Sequence, residues 1–489
     1  MRLPLVLILA AAPALAEIDA SVRPPARPAP APASEPAPPA PLSAAVRDAV
    51  ARAQQPAGSD APPAAPPRPG EGAAPASAGV ATIATAAPAR DTGTAPARPA
   101  PAAVPPAGPA DLSNGGQPAL DAWIAAFRPR ALAAGIEPAT FDAALSDVPF
   151  DPRIITRDRN QTEFTKTIWD YLDTAVSDAR IANGRAAMER HAGALAAAEA
   201  EHGVDRHVVA AIWGLESAYG GFRGTDSTIA SLAILAADPR RSAFFEDQLL
   251  AALRILQAGE VAPGGMRGSW AGAMGHTQFM PTSFLRYAVD ADGDGRRDVW
   301  GDDPADALAS TARYLAAHGW TTGQPWGVEV TLPEGFDFTE ARRDNPRAPA
   351  EWQAMGVRAA DGAPIPDHGP ATILLPAGHQ GAAFMIWPNF AALEAYNTAD
   401  AYVIGVGHLA DRLRGGPAFA GGWPRADRAL TGDERRELQR RLTERGFDPG
   451  GVDGRIGPLT VGAVRDWQLA EGRVPDGYAS PAVLDALRQ

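Results

Sequence analysis

The 489-residue chain has no cysteine. That absence excludes disulfides, thiolate metal sites and a lipid carried on an N-terminal cysteine. Aromatic residues make up only 7%, and none precedes Trp123. No Lys/Arg-rich block occurs, and the formal net charge is −13. Nucleic acid and an anionic membrane surface are therefore poor partners. No apolar run reaches the ~20 residues that span a bilayer, so stable membrane insertion is not expected.

The N-terminus, "MRLPLVLILAAAPALAEID", combines a basic Arg2, an apolar stretch from Leu3 to Ala12 and a small-residue pattern at Ala14-Leu15-Ala16. These are the parts of a secretory signal peptide, with cleavage expected after Ala16. An exported protein follows, periplasmic in a Gram-negative cell. From residue 17 to 118 the chain is mostly Ala and Pro. Without large apolar side chains such a tract cannot offset its ordering entropy, so a disordered, partly polyproline II tether is expected. A short helix within "PLSAAVRDAVARAQ" is compatible with it.

Residues 119–414 have globular composition and mostly helical periodicity, as in "LDAWIAAFRPRALAAG", "TEFTKTIWDYLDTAVSDARIANG" and "STIASLAILAADPRRSAFFEDQLLAALRILQAG". "GVEVTLP", "ATILLPAG" and "AAFMIW" read as short strands, a small sheet inserted in a mainly α body. A linker (415–428) precedes a compact unit at 429–489 that reads helix, Gly-rich turn, helix, short helix.

Within the body, "VDRHVVAAIWGLESAYG" places Val208, Val209, Ile212, Trp213 and Leu215 at helical spacing. Glu216 shares a face with Ile212 and Trp213, and Gly220 and Gly221 end the helix. A carboxylate on an apolar face loses water, which favours its protonated form, and the negative helix end acts in the same direction. A general acid needs that bias. The plainer alternative is a glutamate pointing to solvent. In "GSWAGAMGHTQFMPTSF", Gly272 and Gly275 allow close backbone approach, while Gln278 and Ser269 offer the hydrogen-bonding groups that hold sugar hydroxyls and amides. By composition alone this is equally a turn between helices.

Taken with "DADGDGRRDVWGDDPADALASTARYL" and "WPNFAALEAYNTADAYVIGVGHLADRL", these stretches resemble the lytic murein transglycosylases of the membrane-bound lytic transglycosylase B type. The resemblance spans roughly residues 120–414. It implies a mainly α, lysozyme-like catalytic body that cuts the β-1,4 bond between N-acetylmuramic acid and N-acetylglucosamine of peptidoglycan glycan strands. The products end in 1,6-anhydromuramic acid, because the sugar's own C6 hydroxyl replaces water. Glu216 then serves as the sole acid and base, and no catalytic cofactor is needed. Asp226 is the nearest second carboxylate to exclude. Ser269, Gln278, Tyr314, Tyr396 and Tyr402 match groove positions, Ser269 as the partner of the muramic acid N-acetyl group. Each tyrosine is otherwise a half-buried core residue. His276 reads as a groove or loop residue, not a catalyst.

Asp290, Asp292 and Asp294 occupy positions 1, 3 and 5 of an EF-hand-like loop, with Gly295 at 6 and the Arg296 carbonyl at 7. Position 12 is Gly301 instead of Glu, so the standard motif fails. The resemblance implies a longer loop closed by Asp306, or else by Asp298, Asp302 or Asp303, around a structural Ca²⁺. The alternative is a solvated Asp/Gly turn.

"LQRRLTERGFDPGGVDGRIGPLTVGAVRDWQ" and "DGYASPAVLDAL" resemble the three-helix peptidoglycan-binding domain of cell-wall hydrolases. Leu438, Leu442, Val464 and Trp467 are its expected core, and Asp453 is expected to brace its own loop. The whole is expected to act as a monomer on glycan strands, with other cell-wall enzymes as further candidate partners. Rival readings are a hydrolytic muramidase, a non-catalytic wall-binding scaffold and, least favoured for want of clustered His/Asp ligands, a metalloamidase.

Overall fold

The computed structural model describes residues 112–159 and 166–489. The expected signal peptide, most of the tether and its short helix lie outside the described residues. The first described helix, Leu112–Ala133, begins within the stretch assigned to the tether and is kinked at Gly116.

The body is mainly helical, as its periodicity implies, but several long periodic stretches divide into shorter helices. Asp178–Arg190 and Ala192–His202 are separated at His191, whose φ of −113° is not helical. Thr228–Ala237 stops at Asp238, which takes extended backbone. The following residue is Pro239, which biases its predecessor away from helix. Ser242–Gln257 starts afresh beyond it. Ile168–Ala175 opens at Thr167, whose hydroxyl oxygen accepts from the Asp170 amide at 3.3 Å.

The helix Arg206–Ser217 starts at Asp205, whose carboxylate accepts from the His207 amide at 2.7 Å. It is more than amphipathic: every residue from Val208 to Ser217 is buried. Helices Asp400–Arg414, Ala192–His202, Asp178–Arg190 and Ala305–Ala317 pack against it. The glutamate helix is thus the central rod of the body.

The inserted sheet has four antiparallel strands in the order β4–β3–β6–β5: β3 is Gly327–Thr331, β4 Arg358–Ala359, β5 Thr372–Leu374 and β6 Ala383–Ile386. Val328 faces Met385, and Ile373 faces Met385 from the other side. Val330, Trp352, Ile373, Met385 and Trp387 form a separate small core on this insertion. A second, two-stranded pairing joins β1 (Asp226–Ser227) to β2 (Arg267–Gly268). Periodicity gives no signal for such short segments.

Residues 432–488 form three helices, Gly432–Glu444, Pro458–Ala470 and Pro481–Arg488. Leu438, Leu442, Val464 and Trp467 do make their core, joined by Leu430, Ala463, Val483, Leu484 and Leu487. Asp453 accepts from Gln439 Nε2 at 2.9 Å and from the Arg455 amide at 2.8 Å, so it braces its loop. The stretch expected as a linker is packed down: Phe419 stacks on His408 with centroids 3.7 Å apart, and Arg425 pairs with Asp173 at 2.8 Å. The small unit touches the inserted sheet region through His379–Asp476 at 2.6 Å and Arg465 Nη2 to the Ala341 carbonyl at 2.9 Å. Among the described residues, no helix is long and apolar enough to cross a membrane.

Candidate active site

Glu216 lies in the last turn of the buried helix and is 3% exposed. Tyr402, on helix Asp400–Arg414, donates its hydroxyl to Glu216 Oε1 at 2.7 Å. Burial and the neighbouring Glu216 carboxylate both push the Tyr402 phenol well above its ordinary pKa. Tyr402 therefore stays a donor. Its bond favours the charged form of Glu216 while burial favours the neutral one.

The turn after Glu216 is strained. Ala218 and Tyr219 take φ of 50° and 60°, followed by Gly220 at 81°. Among the described residues the only other non-glycine with positive φ is Gln278, at 54°. All three thus fall in the two motifs singled out in the sequence. Such residues cost on the order of 1–3 kcal/mol each and persist where surroundings over-determine them. Tyr219 shows how. Its ring lies edge-on to Trp213 at 5.7 Å, its hydroxyl donates to the Arg180 carbonyl at 3.1 Å, and a Cβ on Gly184 or Gly214 would strike it.

The Gly-rich loop 268–280 is tied to this turn at several points. Ser217 Oγ donates to the His276 carbonyl at 2.6 Å and accepts from the Gly220 amide at 2.9 Å. Gln278, 1% exposed, donates from Nε2 to the carbonyls of Arg223 at 3.1 Å and Gly275 at 2.9 Å. Its Oε1 has no partner and is buried, leaving an acceptor for an N–H or O–H that the protein does not itself supply. Ser269, also buried, accepts at Oγ from the Ala273 amide at 3.1 Å and keeps its own hydroxyl proton for another acceptor. Gly224 packs so closely on Gly268 and Ser269 that no Cβ fits there.

The other two tyrosines hold this loop from behind. Tyr396 donates to the Thr277 carbonyl at 2.5 Å. Tyr314 donates to the Ala395 carbonyl at 2.6 Å and lies edge-on to Tyr396 and Phe279. Gln278, Phe279, Met280, Ser283, Tyr314 and Tyr396 line a small cavity. Asp226 is a different kind of carboxylate: its side chain is 37% exposed and pairs with Arg157 at 3.4 Å.

His276, expected as a groove or loop residue, is buried in the structure and bridges two segments. Its Nδ1 accepts from Trp213 Nε1 at 3.1 Å, which leaves Nε2 to donate to the Gly301 carbonyl at 2.8 Å. Burial lowers its pKa and keeps the ring neutral. Arg223 adds bonds to the carbonyls of Trp300 at 2.9 Å and Gly301, and to Asp302 at 3.0 Å. Neither residue stands out in a single sequence, because each acts through backbone carbonyls far along the chain.

Those carbonyls belong to the Asp-rich loop. Asp290, Asp292 and Asp294 are exposed, with one carboxylate oxygen from each within 4.8 Å of the others. Their carboxylates also accept backbone amides: Asp290 from Gly293 and Gly295, Asp292 from Asp294, and Asp294 from Arg296. Asp306 is buried and accepts from the amides of Ala291 and Asp298, both at 2.7 Å. It clamps the two arms of the loop and is not grouped with the exposed three. Of the substitutes, Asp298 caps Trp300 and Gly301, Asp303 caps Ala305, and Asp302 pairs with Arg223.

A buried carboxylate at a strained helix end, tied through Ser217 to a Gly-rich loop with an unused buried acceptor, is an arrangement in which acid/base chemistry on a glycoside can be sought, here on a lysozyme-like helical body. The transglycosylase SLT domain family matches residues 119–411, and a putative peptidoglycan-binding domain matches 431–487. The chain therefore belongs to the transglycosylase SLT domain family. It is 31% identical over 248 residues to the membrane-bound lytic murein transglycosylase B of Escherichia coli strain K12, a match over 49% of this chain and 65% of that one. It thus spans just under two thirds of that relative. SltB3 from Pseudomonas aeruginosa, solved with NAG-anhNAM-pentapeptide, shares 50% identity with a TM-score of 0.73, over 76% of this chain and 99% of that one. The E. coli lytic transglycosylase Slt35, solved with calcium, shares 26% identity with a TM-score of 0.52, over 63% and 95%. These relatives are lytic transglycosylases, lyases that act on peptidoglycan.

Proposed function

We propose that this chain is an exported, periplasmic lytic transglycosylase that cuts the β-1,4 bond between N-acetylmuramic acid and N-acetylglucosamine and leaves 1,6-anhydromuramic acid ends. The observation that carries the reading is the buried Glu216 bonded to Tyr402. Protonated Glu216 donates to the leaving glycosidic oxygen as the C1–O bond breaks. The muramic acid N-acetyl oxygen meets the positive charge that develops at C1. The C6 hydroxyl then bonds to C1, and its proton returns to Glu216. Tyr402 supports the carboxylate between the two transfers. One residue suffices because the substrate supplies the attacking oxygen, whereas hydrolytic pairs need a second carboxylate. Ser269 and Gln278 hold the acetamide and hydroxyl groups, while Tyr314 and Tyr396 set the position of the loop. That SltB3 was solved in complex with NAG-anhNAM-pentapeptide supports this reading.

In this reading, residues 1–16 are the signal peptide, 17–118 a tether, 119–414 the catalytic body, 415–428 the linker and 429–489 a wall-binding module on a monomer. Asp290, Asp292, Asp294 and the Arg296 carbonyl would hold a structural Ca²⁺, with Asp306 closing the loop. The clustered carboxylate oxygens suit a hard cation, and the Slt35 structure with calcium supports it. The ion would order the loop and takes no part in proton transfer.

Mass spectrometry of purified sacculi digested by the protein tests the reaction. The expected muropeptides are one water lighter than hydrolysis products. Reducing muramic acid ends would instead establish a hydrolytic muramidase, and no soluble product would leave only the scaffold reading.

A further inference from the structure

We infer that Phe222 is a stacking platform for a sugar ring of the glycan strand, next to the acid. This rests on the reading of the site as a glycan-cleaving one. Phe222 is 44% exposed, and it is the one aromatic among the exposed large hydrophobic residues of the described chain. Its ring does not serve the core, so its placement needs another cause.

The backbone holds that ring outward. Phe222 follows the strained Ala218–Gly220 turn, and its amide donates to the Ser217 carbonyl at 2.9 Å. Tyr219, wedged against Gly184 and Gly214, fixes the turn from the inside. A Cβ on Gly220 would meet the His276 ring at 2.6 Å, so this side cannot relax either. Immediately after Phe222, the Arg223 carbonyl accepts from Gln278, and Gly224 lies against Gly268 and Ser269. Phe222 therefore projects from the short segment that joins the acid to the residues proposed to grip the substrate. Strain held in place by packing on both sides is a mark of a functional segment.

A pyranose in a β-1,4 strand presents axial C–H bonds on its face. An aromatic face is apolar and electron-rich, and it takes such a surface while the hydroxyls stay solvated. The ligand class is thus an N-acetylhexosamine ring of the strand, held by shape and apolar contact. Phe222 would bind without touching the reacting atoms.

The test measures binding by calorimetry in the full chain carrying Glu216→Gln, which leaves the ligand intact. The probe is a soluble tetrasaccharide of alternating N-acetylglucosamine and N-acetylmuramic acid. Adding Phe222→Ala should raise Kd about tenfold, since one ring face buried at ~25 cal/mol per Å² corresponds to that factor. Phe222→Tyr and Phe222→Trp should stay within about twofold because they keep the face. In the active enzyme, Phe222→Ala should raise KM with kcat little changed. Melting should not move, because the ring is exposed. Ser269→Ala in the same background is the control. If Ser269→Ala weakens binding and Phe222→Ala does not, the platform is overturned. If neither changes Kd, the reading of the site itself fails. Equal losses in the Ala, Tyr and Trp variants would also overturn stacking.

Discussion

Two sets of carboxylates in the catalytic body meet opposite surroundings. Glu216 is buried at a helix end and bonded to a phenol. Asp290, Asp292 and Asp294 are exposed, crowded and bonded to backbone amides of their own turn. The chemical group is the same, yet water access divides the chemistry open to each. Without water the neutral form becomes accessible, and the group can carry a proton. In water, several oxygens close together form the donor set that a hard cation takes. The lesson is that an acidic residue's role is read from what surrounds it, not from its presence in a motif.

The contrast makes its strongest prediction with isosteric amides. Glu216→Gln keeps shape and an acceptor for Tyr402 but cannot carry a proton. Muropeptide release should fall by at least about 10³-fold, within the usual range for a general acid and base. Asp292→Asn and Asp294→Asn make the same atomic change and should leave turnover within about twofold when the protein is folded. Comparable losses at all three positions would end the distinction.

Tyr402→Phe sharpens the first half. It removes the donor that favours charged Glu216, at about 1.5–3 kcal/mol for a bond to a charged group, so kcat should drop roughly 10- to 100-fold. The protonated acid becomes easier to keep. The alkaline limb of kcat/KM, which reports its loss, should therefore move to higher pH in the variant. An unmoved limb would separate Tyr402 from the proton shuttle.

Calcium addresses the second half. If the loop binds it, a hundredfold excess over Kd stabilises the fold by about 2.7 kcal/mol. The melting temperature should rise by a few degrees with Ca²⁺, and Asp290→Asn combined with Asp292→Asn should abolish the rise. No Ca²⁺ response in the unaltered chain would return the loop to a solvated turn.

Much of the mainly α fold and its small sheet was legible, because helical spacing and β-branched runs report burial directly. The burial of Glu216 was legible from Ile212 and Trp213, since a helix face is a local property. The division at His191 was not, because periodicity continues across the break; at Asp238 periodicity also continues, and only Pro239 marks the stop. The inward roles of Tyr396 and Tyr314 on the carbonyls of Thr277 and Ala395 were also hidden, as were the Tyr219 wedge and the exposed Phe222. Each depends on contacts between segments that no spacing rule connects. The linker at 415–428 misleads in the other direction: its Gly and Pro suggest looseness, yet Phe419 and Arg425 bind it to the body.

His276 joins the two acidic regions and yields the smallest effect. It accepts from Trp213 on the glutamate helix and donates to Gly301 at the end of the Asp-rich loop. Protonation would place a donor at Nδ1 against the Trp213 N–H, which is already a donor. Burial, with Arg223 nearby, lowers its pKa despite the favourable Gly301 bond and Asp298 charge; His191 adds to the lowering. The unfolded chain takes this proton near the ordinary value of about 6.5, the folded chain only at lower pH. Between those points the unfolded state binds more protons, so stability falls as pH drops, by at most about 1.4 kcal/mol per pH unit for one group. His408, pushed down to about 4, adds a similar slope and must be subtracted. His276→Gln keeps an acceptor and a donor but does not titrate. Chemical denaturation at about pH 7 and about pH 5 should therefore show a smaller loss in that variant than in the unaltered chain. If both lose the same amount, His276 is not the neutral strut between the acid helix and the loop.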